Sequence, residues 1–511
     1  MTRLLLAGLL VLGAWAASTA RAPQAHGCAF SRTPTTYEGP QDRSPYLAAL
    51  ELAGHNMLFP TDTFFGTPRL EFGARDDRQL MEQPYIPPTL LKAIGWIESG
   101  QTQAAGAVPW SAVGPALISF DCGHGIMQIT SGMTSPADGG WPSRQQALVA
   151  TDYLYNVGRG AAILADKWNA SPEYRPIAGT DTDGDPRIIE NWYFAVWGYN
   201  GFTGPGANRS NHPMDPIYAA WPRTGFSCGP VADGYGHSYS NYPYQEIVFG
   251  CAARPPSVGG TQVWTPIDLS LPNLSDPLWA GPLDLSHWSA CASSSFDCAA
   301  MDIPSSQPTH TDDTPAPAQG AAAFLLGSPV LSANRQVVAA ETNPIVLSNA
   351  GTGILPWRAK ASASWITIDK QGGVALGAEV QCSSDDACDR SPTLTITIAE
   401  PQSSNGSVDI ESLITGQVVH ISVVTQRFDV NCDGATNPLD ALLLLQYIAG
   451  LAPELPCPEL ADVNSDGTVN VLDSLLILQF DAGLYVPAPT PTATQAPAPT
   501  GTPASTSLPT P

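Results

Sequence analysis

The chain has 511 residues, long enough for about three domains. With 46 acidic against 22 basic side chains its net charge is −24, so no nucleic acid is expected as a partner, because phosphate binding needs basic surface. Ten cysteines fit an exported protein with disulfides, and they lack the compact paired spacing of a structural zinc site.

Residues 1–22, MTRLLLAGLLVLGAWAASTARA, read as a secretory signal peptide: one arginine, an apolar run, then small residues. A secreted protein, extracellular or cell-wall associated, is expected. No later stretch is apolar and long enough for a bilayer, so the mature chain is expected to lack a membrane span. Residues 23–80 show little periodicity; Tyr46, Leu47, Leu50 and Phe64 are expected to pack against the helical region C-terminal to them. Then comes IPPTLLKAIGWIESG, from residue 86. Leu91, Ile94 and Gly95 share a helix face with Glu98, Pro87 and Pro88 suit the helix start, and Gly100 suits its end. A carboxylate at a helix C-terminus beside apolar neighbours has its pKa raised, as a general acid requires. The same residues also fit a solvated glutamate at a frayed helix end.

A helix with Ser143 as N-cap is predicted over SRQQALVATDYLYNVGRGAAILADKWN, and another over PRIIENWYFAVWGYN. Between them DTDGDP places Asp181, Asp183 and Asp185 at positions 1, 3 and 5 of a Ca²⁺ loop. Position 12 is Trp192 and the nearest acid is Glu190, so a solvated acidic turn is the competing reading. Residues 251–303, with Trp264, Trp279 and Trp288, read as an extension of the domain that begins at residue 23. Residues 304–320 read as a Pro/Ser/Thr linker. Across 321–426 the period switches to alternation with β-branched residues, which predicts an antiparallel β-sandwich. Residues 487–511 form a Pro/Thr-rich string expected to be disordered. Near-neighbour disulfides are expected as Cys291–Cys298, Cys382–Cys388 and Cys432–Cys457, though spacing alone does not decide connectivity.

Two C-terminal segments repeat each other, DVNCDGATNPLDALLLLQYIAGL and DVNSDGTVNVLDSLLILQFDAGL. Asp429, Asn431, Asp433, Asn437 and Asp440 fall at loop positions 1, 3, 5, 9 and 12, as do Asp462, Asn464, Asp466, Asn470 and Asp473. Ala435 and Thr468, at position 7, offer backbone carbonyls, and Gly434 and Gly467 occupy the sharp turn at position 6. Oxygen donors at this spacing converge on one point, so two Ca²⁺ sites are expected. Over 428–485 the pattern resembles type I dockerin modules, a small α module of paired EF-hand-like loops whose usual partner is a cohesin module. Positions 10 and 11 are Pro438-Leu439 and Val471-Leu472, where cohesin-binding dockerins often carry small polar residues. Within 321–426, IVLSNAGTGILPWRAKASASWITIDKQGG resembles BACON-like immunoglobulin-type modules, including Trp357 and Trp365-Ile366.

Downstream of Glu98 come Ser99, then SFDCGHGIMQIT, then FAVWGYNGF. This ordered set resembles SLT-type lytic transglycosylases of the lysozyme-like superfamily, glycoside hydrolase family 23, with a motif core over 84–205. Ser119, Gly125-Ile126-Met127-Gln128 and Tyr199-Asn200 match the family's motifs, while Cys122-Gly123 and Gly198 depart from them. The resemblance implies an α-rich lysozyme-like (α+β) catalytic domain within a multidomain chain. It implies Glu98 as the single acid and base, with no cofactor for catalysis, cleaving the MurNAc-GlcNAc β-1,4 bond of peptidoglycan to leave 1,6-anhydromuramoyl ends. Tyr199 would then orient Glu98, and Ser99, Ser119, Met127, Gln128 and Asn200 would line the sugar subsites. Asp121 and Asp138 are the candidate second carboxylates, at positions the family does not use. The competing expectations are a lysozyme- or chitinase-type hydrolase and a non-catalytic glycan-binding surface scaffold.

Overall fold

A computed structural model describes residues 28–74, 77–170, 184–201, 210–275, 308–338, 342–399, 406–423, 428–464 and 466–484. The expected signal peptide, the Pro/Thr-rich tail, the Cys291–Cys298 pair, and Asp181 and Asp183 lie outside these residues. Among the described residues no helix is long and apolar enough to cross a membrane. The chain divides into two compact units, and the described residues of the first fall within Met1–Gln336, Pro344–Thr397 and Val408–Ile421.

The helices of the first unit are α1 (Ser44–Gly54), α2 (Pro88–Ser99), α3 (Arg144–Thr151), α4 (Tyr153–Asn169), α5 (Tyr193–Asn200), α6 (Tyr244–Ala253) and α7 (Ala321–Leu326). α2 packs on α1 and α6, and α4 packs on α1 and α5. The stretch predicted as one helix from Ser143 is two. Ser143 and Gln146 form a capping box at the start of α3. Asp152 then adopts an extended conformation (φ −130°, ψ 120°) and its carboxylate accepts from Leu154 N at 2.9 Å, which restarts the chain as α4. A buried side chain that competes for backbone N–H groups overrides the helical periodicity on both sides of it. α2 begins at Pro88 and ends in a left-handed Gly100 (φ 68°) whose N–H, with that of Gln101, returns to the Trp96 and Gly95 carbonyls.

Short ladders flank the helices. β1 (Thr35–Glu38) pairs antiparallel with β4 (Ala112–Pro115), β2 (Glu71–Ala74) with β3 (Asp77–Leu80), and β5 (Ser257–Val258) with β6 (Thr261–Gln262). The β region contains β7 (Leu331–Ala333), β8 (Val337–Val338), β9 (Thr342–Asn349), β10 (Ile354–Ala361), β11 (Ile366–Ile368), β12 (Gly372–Leu376), β13 (Thr393–Ile398), β14 (Gly406–Ser412) and β15 (Val418–Val423). They form a five-stranded sheet in the order β12-β10-β14-β15-β8 and a four-stranded sheet in the order β11-β13-β9-β7. β13 alternates buried and half-buried residues, and Trp357 on β10 is fully buried. One pairing departs from the antiparallel expectation: β8 runs parallel to β15, with Val337 opposite Ser422.

The β region and the helices share one apolar core, in which Ile354, Val374, Leu376 and Leu413 join Leu91, Ile126 and Tyr153. The loop closed by the Cys382–Cys388 disulfide lies against β4 and the residue before it. Ser383 N donates to Ser111 O (2.8 Å), Val113 N to Ala387 O (3.1 Å), and Tyr37 OH to Gln381 O (2.7 Å). Arg358 pairs with Glu411 (2.7 Å) and donates to Pro142 O (3.0 Å).

Residues 308–320, from the stretch read as a linker, are tied to the helices. Ile189 N donates to His310 O (3.0 Å), Tyr85 OH to Asp312 O (2.8 Å), and His310 Nδ1 lies 2.6 Å from buried Glu190. Asp312, itself buried, accepts from Thr89 N at 2.7 Å and so caps the first turn of α2 across 223 residues of chain. Its Pro/Thr/Asp composition carried no sign of that long-range role.

The second unit contains α8 (Pro438–Ile448) and α9 (Val471–Asp481), each preceded by an acidic loop. Phe428, Val430, Leu444, Ala461 and Ile477 form its core, with Phe480 edge-on to Phe428 at 5.1 Å. Cys432 and Cys457 are disulfide-bonded as expected. The remaining bridges among the described residues, Cys28–Cys122 and Cys228–Cys251, were not anticipated.

Candidate active site and calcium-loop module

Glu98 sits half-buried in the last turn of α2. Burial, with the Asp121 carboxylate adding to it, pushes its pKa from 4.5 up to about 7, although a hydrogen bond from Tyr244 opposes the rise. The Tyr244 hydroxyl donates to Glu98 Oε1 at 2.5 Å. Tyr244 is the first residue of α6, and it was not among the residues expected from sequence. It lies 146 positions from Glu98, and the local signal was only an aromatic after Pro243 at a helix start. Arg43 fastens the helix end: its guanidinium lies over Trp96 (4.9 Å) and Trp110 (4.6 Å) and donates to Gly100 O (3.1 Å).

The GIMQ turn is built against this helix end. Ser99 Oγ donates to Ile126 O (2.9 Å), Asn156 Oδ1 accepts from Met127 N (2.8 Å), and Gln103 Oε1 accepts from Ile126 N (3.2 Å). Gly125 has φ 63°, and a Cβ there would stand 2.4 Å from Gln103 Oε1. Gly160 of α4 leaves room for the Met127 side chain, which a Cβ would meet at 2.6 Å.

The expected site residues therefore fall into different places. Met127 is fully buried and packs. Ser99 clamps the turn, and the Tyr199 hydroxyl donates to Met127 O (2.8 Å) rather than to Glu98. Gln128, half-buried, donates to Gly125 O (2.8 Å). Ser119 donates to Asp121 (2.5 Å) and accepts from Gly123 N (2.8 Å), which shapes the loop that presents Asp121. Asn200 is exposed and accepts from Asn211 Nδ2 (3.2 Å). Asp138 faces Arg358 at 3.5 Å. Asp185 ion-pairs with Arg187 and accepts from its N–H, the behaviour of a capped acidic turn.

A second brace fixes α6. Arg223 and Glu246 form a two-pronged ion pair (2.8 and 2.6 Å) with side chains almost wholly buried, and Arg223 also donates to Pro213 O and Ala219 O. Glu246 is two residues from Tyr244, so this pair holds the tyrosine's helix in place.

The two acidic loops share most of their hydrogen bonds, and the second adds one from Val463 N to Asp473 (2.8 Å). Asp429 accepts from Asp433 N (3.1 Å) and Gly434 N (2.8 Å), and Asp462 accepts from Asp466 N (3.1 Å) and Gly467 N (2.8 Å). Asp440 and Asp473, fully buried at position 12, accept from Asn437 N and Asn470 N. Burial, with Asp440 and Asp433 adding to it, raises the Asp429 pKa, so these carboxylates repel one another without a cation. Among the described residues no group of three or more His, Cys, Asp or Glu is arranged as a metal cluster. A divalent hard cation here needs Asn431, Asn437, Asn464, Asn470 and the Ala435 and Thr468 carbonyls as well, the oxygen-only donor set that Ca²⁺ accepts.

The sequence model of the dockerin type I domain matches residues 427–480. The C-terminal module is a type I dockerin, a class that binds calcium and docks cohesin modules. No curated protein matches the chain. Among solved structures, a Bacteroides ovatus GH5 xyloglucanase in complex with a XXXG heptasaccharide is similar at 12% identity and a TM-score of 0.14. That match covers 23% of this chain and 25% of the xyloglucanase.

Proposed function

We propose that the protein is an exported peptidoglycan lytic transglycosylase of lysozyme-like fold, carried into an extracellular or surface assembly by its dockerin. The observation that carries the reading is Glu98, a carboxyl group poised near neutral pH at a helix end and held by a tyrosine rather than by a second acid. Protonated, Glu98 delivers its proton to the glycosidic oxygen. Ionised, it accepts the proton of the sugar C6 hydroxyl as that oxygen closes on C1. Tyr244 steadies the carboxylate in both halves. The β region serves as an immunoglobulin-like support rather than a free spacer, and the loops 429–440 and 462–473 each take one Ca²⁺.

A second reading is favoured by Asp121, whose charge reaches Glu98. If its carboxylate activates water, the enzyme is a hydrolase. Digesting purified sacculi and weighing the products decides. Anhydromuramoyl ends that vanish in Glu98→Gln support the transglycosylase, reducing ends support the hydrolase, and no cleavage by the unmodified protein leaves a glycan-binding scaffold.

A further inference from the structure

The stretch CGPVADGYGHSYSNYPY, 228–244, delivers Tyr244 to Glu98, yet its preceding aromatics have no part in holding that pair. Tyr239 is 55% exposed and Tyr235 39%. The Tyr239 ring lies 5.4 Å from buried Phe226 at an interplanar angle of 34°. Phe226 in turn contacts Tyr242 (5.2 Å) and His237 (6.1 Å), and His237 lies parallel to Tyr242. Tyr239 is thus backed on one side by a packed aromatic cluster while more than half of its surface meets solvent.

The loop is glycine- and serine-rich but braced. Asp233 pairs with His237 (3.0 Å) and accepts from Tyr235 N (2.9 Å), Asn241 Nδ2 donates to Gly236 O (3.0 Å), and the Ser238 and Ser240 hydroxyls meet at 2.9 Å. The Cys228–Cys251 disulfide ties its base to α6. Two buried polar atoms in the cluster, Tyr242 OH and His237 Nδ1, have no protein partner. An exposed aromatic face backed by a packed ring and carried on a hydrogen-bonded loop is a surface that the C–H face of a pyranose ring stacks on. Tyr239 is five positions from Tyr244, so its Cα atom stands within about 18 Å of that of the residue that holds the acid.

We infer that Tyr239, backed by Phe226, and Tyr235, whose ring lies 6.3 Å from that of His237, form a sugar-stacking platform that binds N-acetylated β-1,4-linked pyranose units of the glycan strand beyond those at Glu98. The inference rests on the proposed function and adds to it a binding site outside the motif core. The full chain carrying Glu98→Gln is titrated with peptide-free glycan strands, released from sacculi by an amidase, and binding is measured by calorimetry. Adding Tyr239→Ala should weaken binding about three- to tenfold, whereas Tyr239→Phe should leave it unchanged, with melting temperatures equal throughout. Tyr235→Ala gives a second reading in the same direction. Equal binding by all the variants would overturn the platform and leave the function standing. Equal loss in Tyr239→Phe and Tyr239→Ala would overturn stacking in favour of the hydroxyl. No binding by the Glu98→Gln parent would overturn the function and the platform together.

Discussion

Replacing Glu98 by Gln should make the protein more stable, and increasingly so as pH rises. The folded-state pKa of Glu98 is raised from 4.5 to about 7, so the folded chain holds a proton there that the unfolded chain releases. Below the unfolded value both states are protonated and nothing is lost. Between the two values stability falls with pH, and above about 7 the full penalty is present. A rise of that size corresponds to at most about 3 kcal/mol, and partial solvent access at the helix end reduces it to about 1–2 kcal/mol. Gln is nearly the same shape, keeps an Oε1 for the Tyr244 hydroxyl, and never ionises. Glu38 and Asp152, whose pKa values burial also lifts to about 7, are common to both proteins and cancel in the difference. Thermal or urea unfolding of both chains at a series of pH values gives the measurement. The difference should be near zero around pH 4 and grow through pH 5–7 to a plateau. A difference that is flat with pH, or that grows as pH falls, would refute the account of Glu98 as a half-buried, proton-holding acid.

Tyr244→Phe keeps the ring in the α2–α6 packing but deletes the bond that favours the ionised carboxylate. The alkaline limb of the pH–rate profile on sacculi should therefore move up by about one unit or more, and an unmoved or lowered limb contradicts the pairing. Glu246→Ala leaves Arg223 buried and uncompensated, a loss of about 3–5 kcal/mol in urea unfolding, and a change below about 1 kcal/mol would show the pair to be solvated. Chelation of Ca²⁺ should melt the module carrying α8 and α9 and raise exchange of its core amides. Asp440→Ala should abolish one calorimetric site and Asp473→Ala the other, whereas two sites surviving either change would exclude the loop assignment.

What the sequence made legible was local. The end of α2 could be read because Gly100 and the apolar spacing lie within one turn of Glu98, and the paired loops because each donor set fits in twelve residues. The Cys382–Cys388 and Cys432–Cys457 bridges close short spans, but Cys228–Cys251, at 23 positions, was missed although it is no longer than Cys432–Cys457, and Cys28–Cys122 spans 94 positions and left no local trace. Tyr244, 146 positions from Glu98, escaped for the same reason as Cys28–Cys122. Tyr199 was read as the partner of Glu98 from motif order, but side-chain direction is a tertiary property, and its hydroxyl spends its bond on Met127. Asp152 broke a helix that periodicity predicted as continuous, because capping chemistry is worth more there than propensity.

Asp312 gives the fold a clock. The helix that carries Glu98 in its last turn has its first turn closed by a carboxylate made 223 residues after Thr89. At a synthesis rate of about 5–20 residues per second, the start of that helix waits roughly 11–45 s for its cap. A chain interrupted before residue 312 has the acid in its sequence but not the side chain that closes the acid's helix.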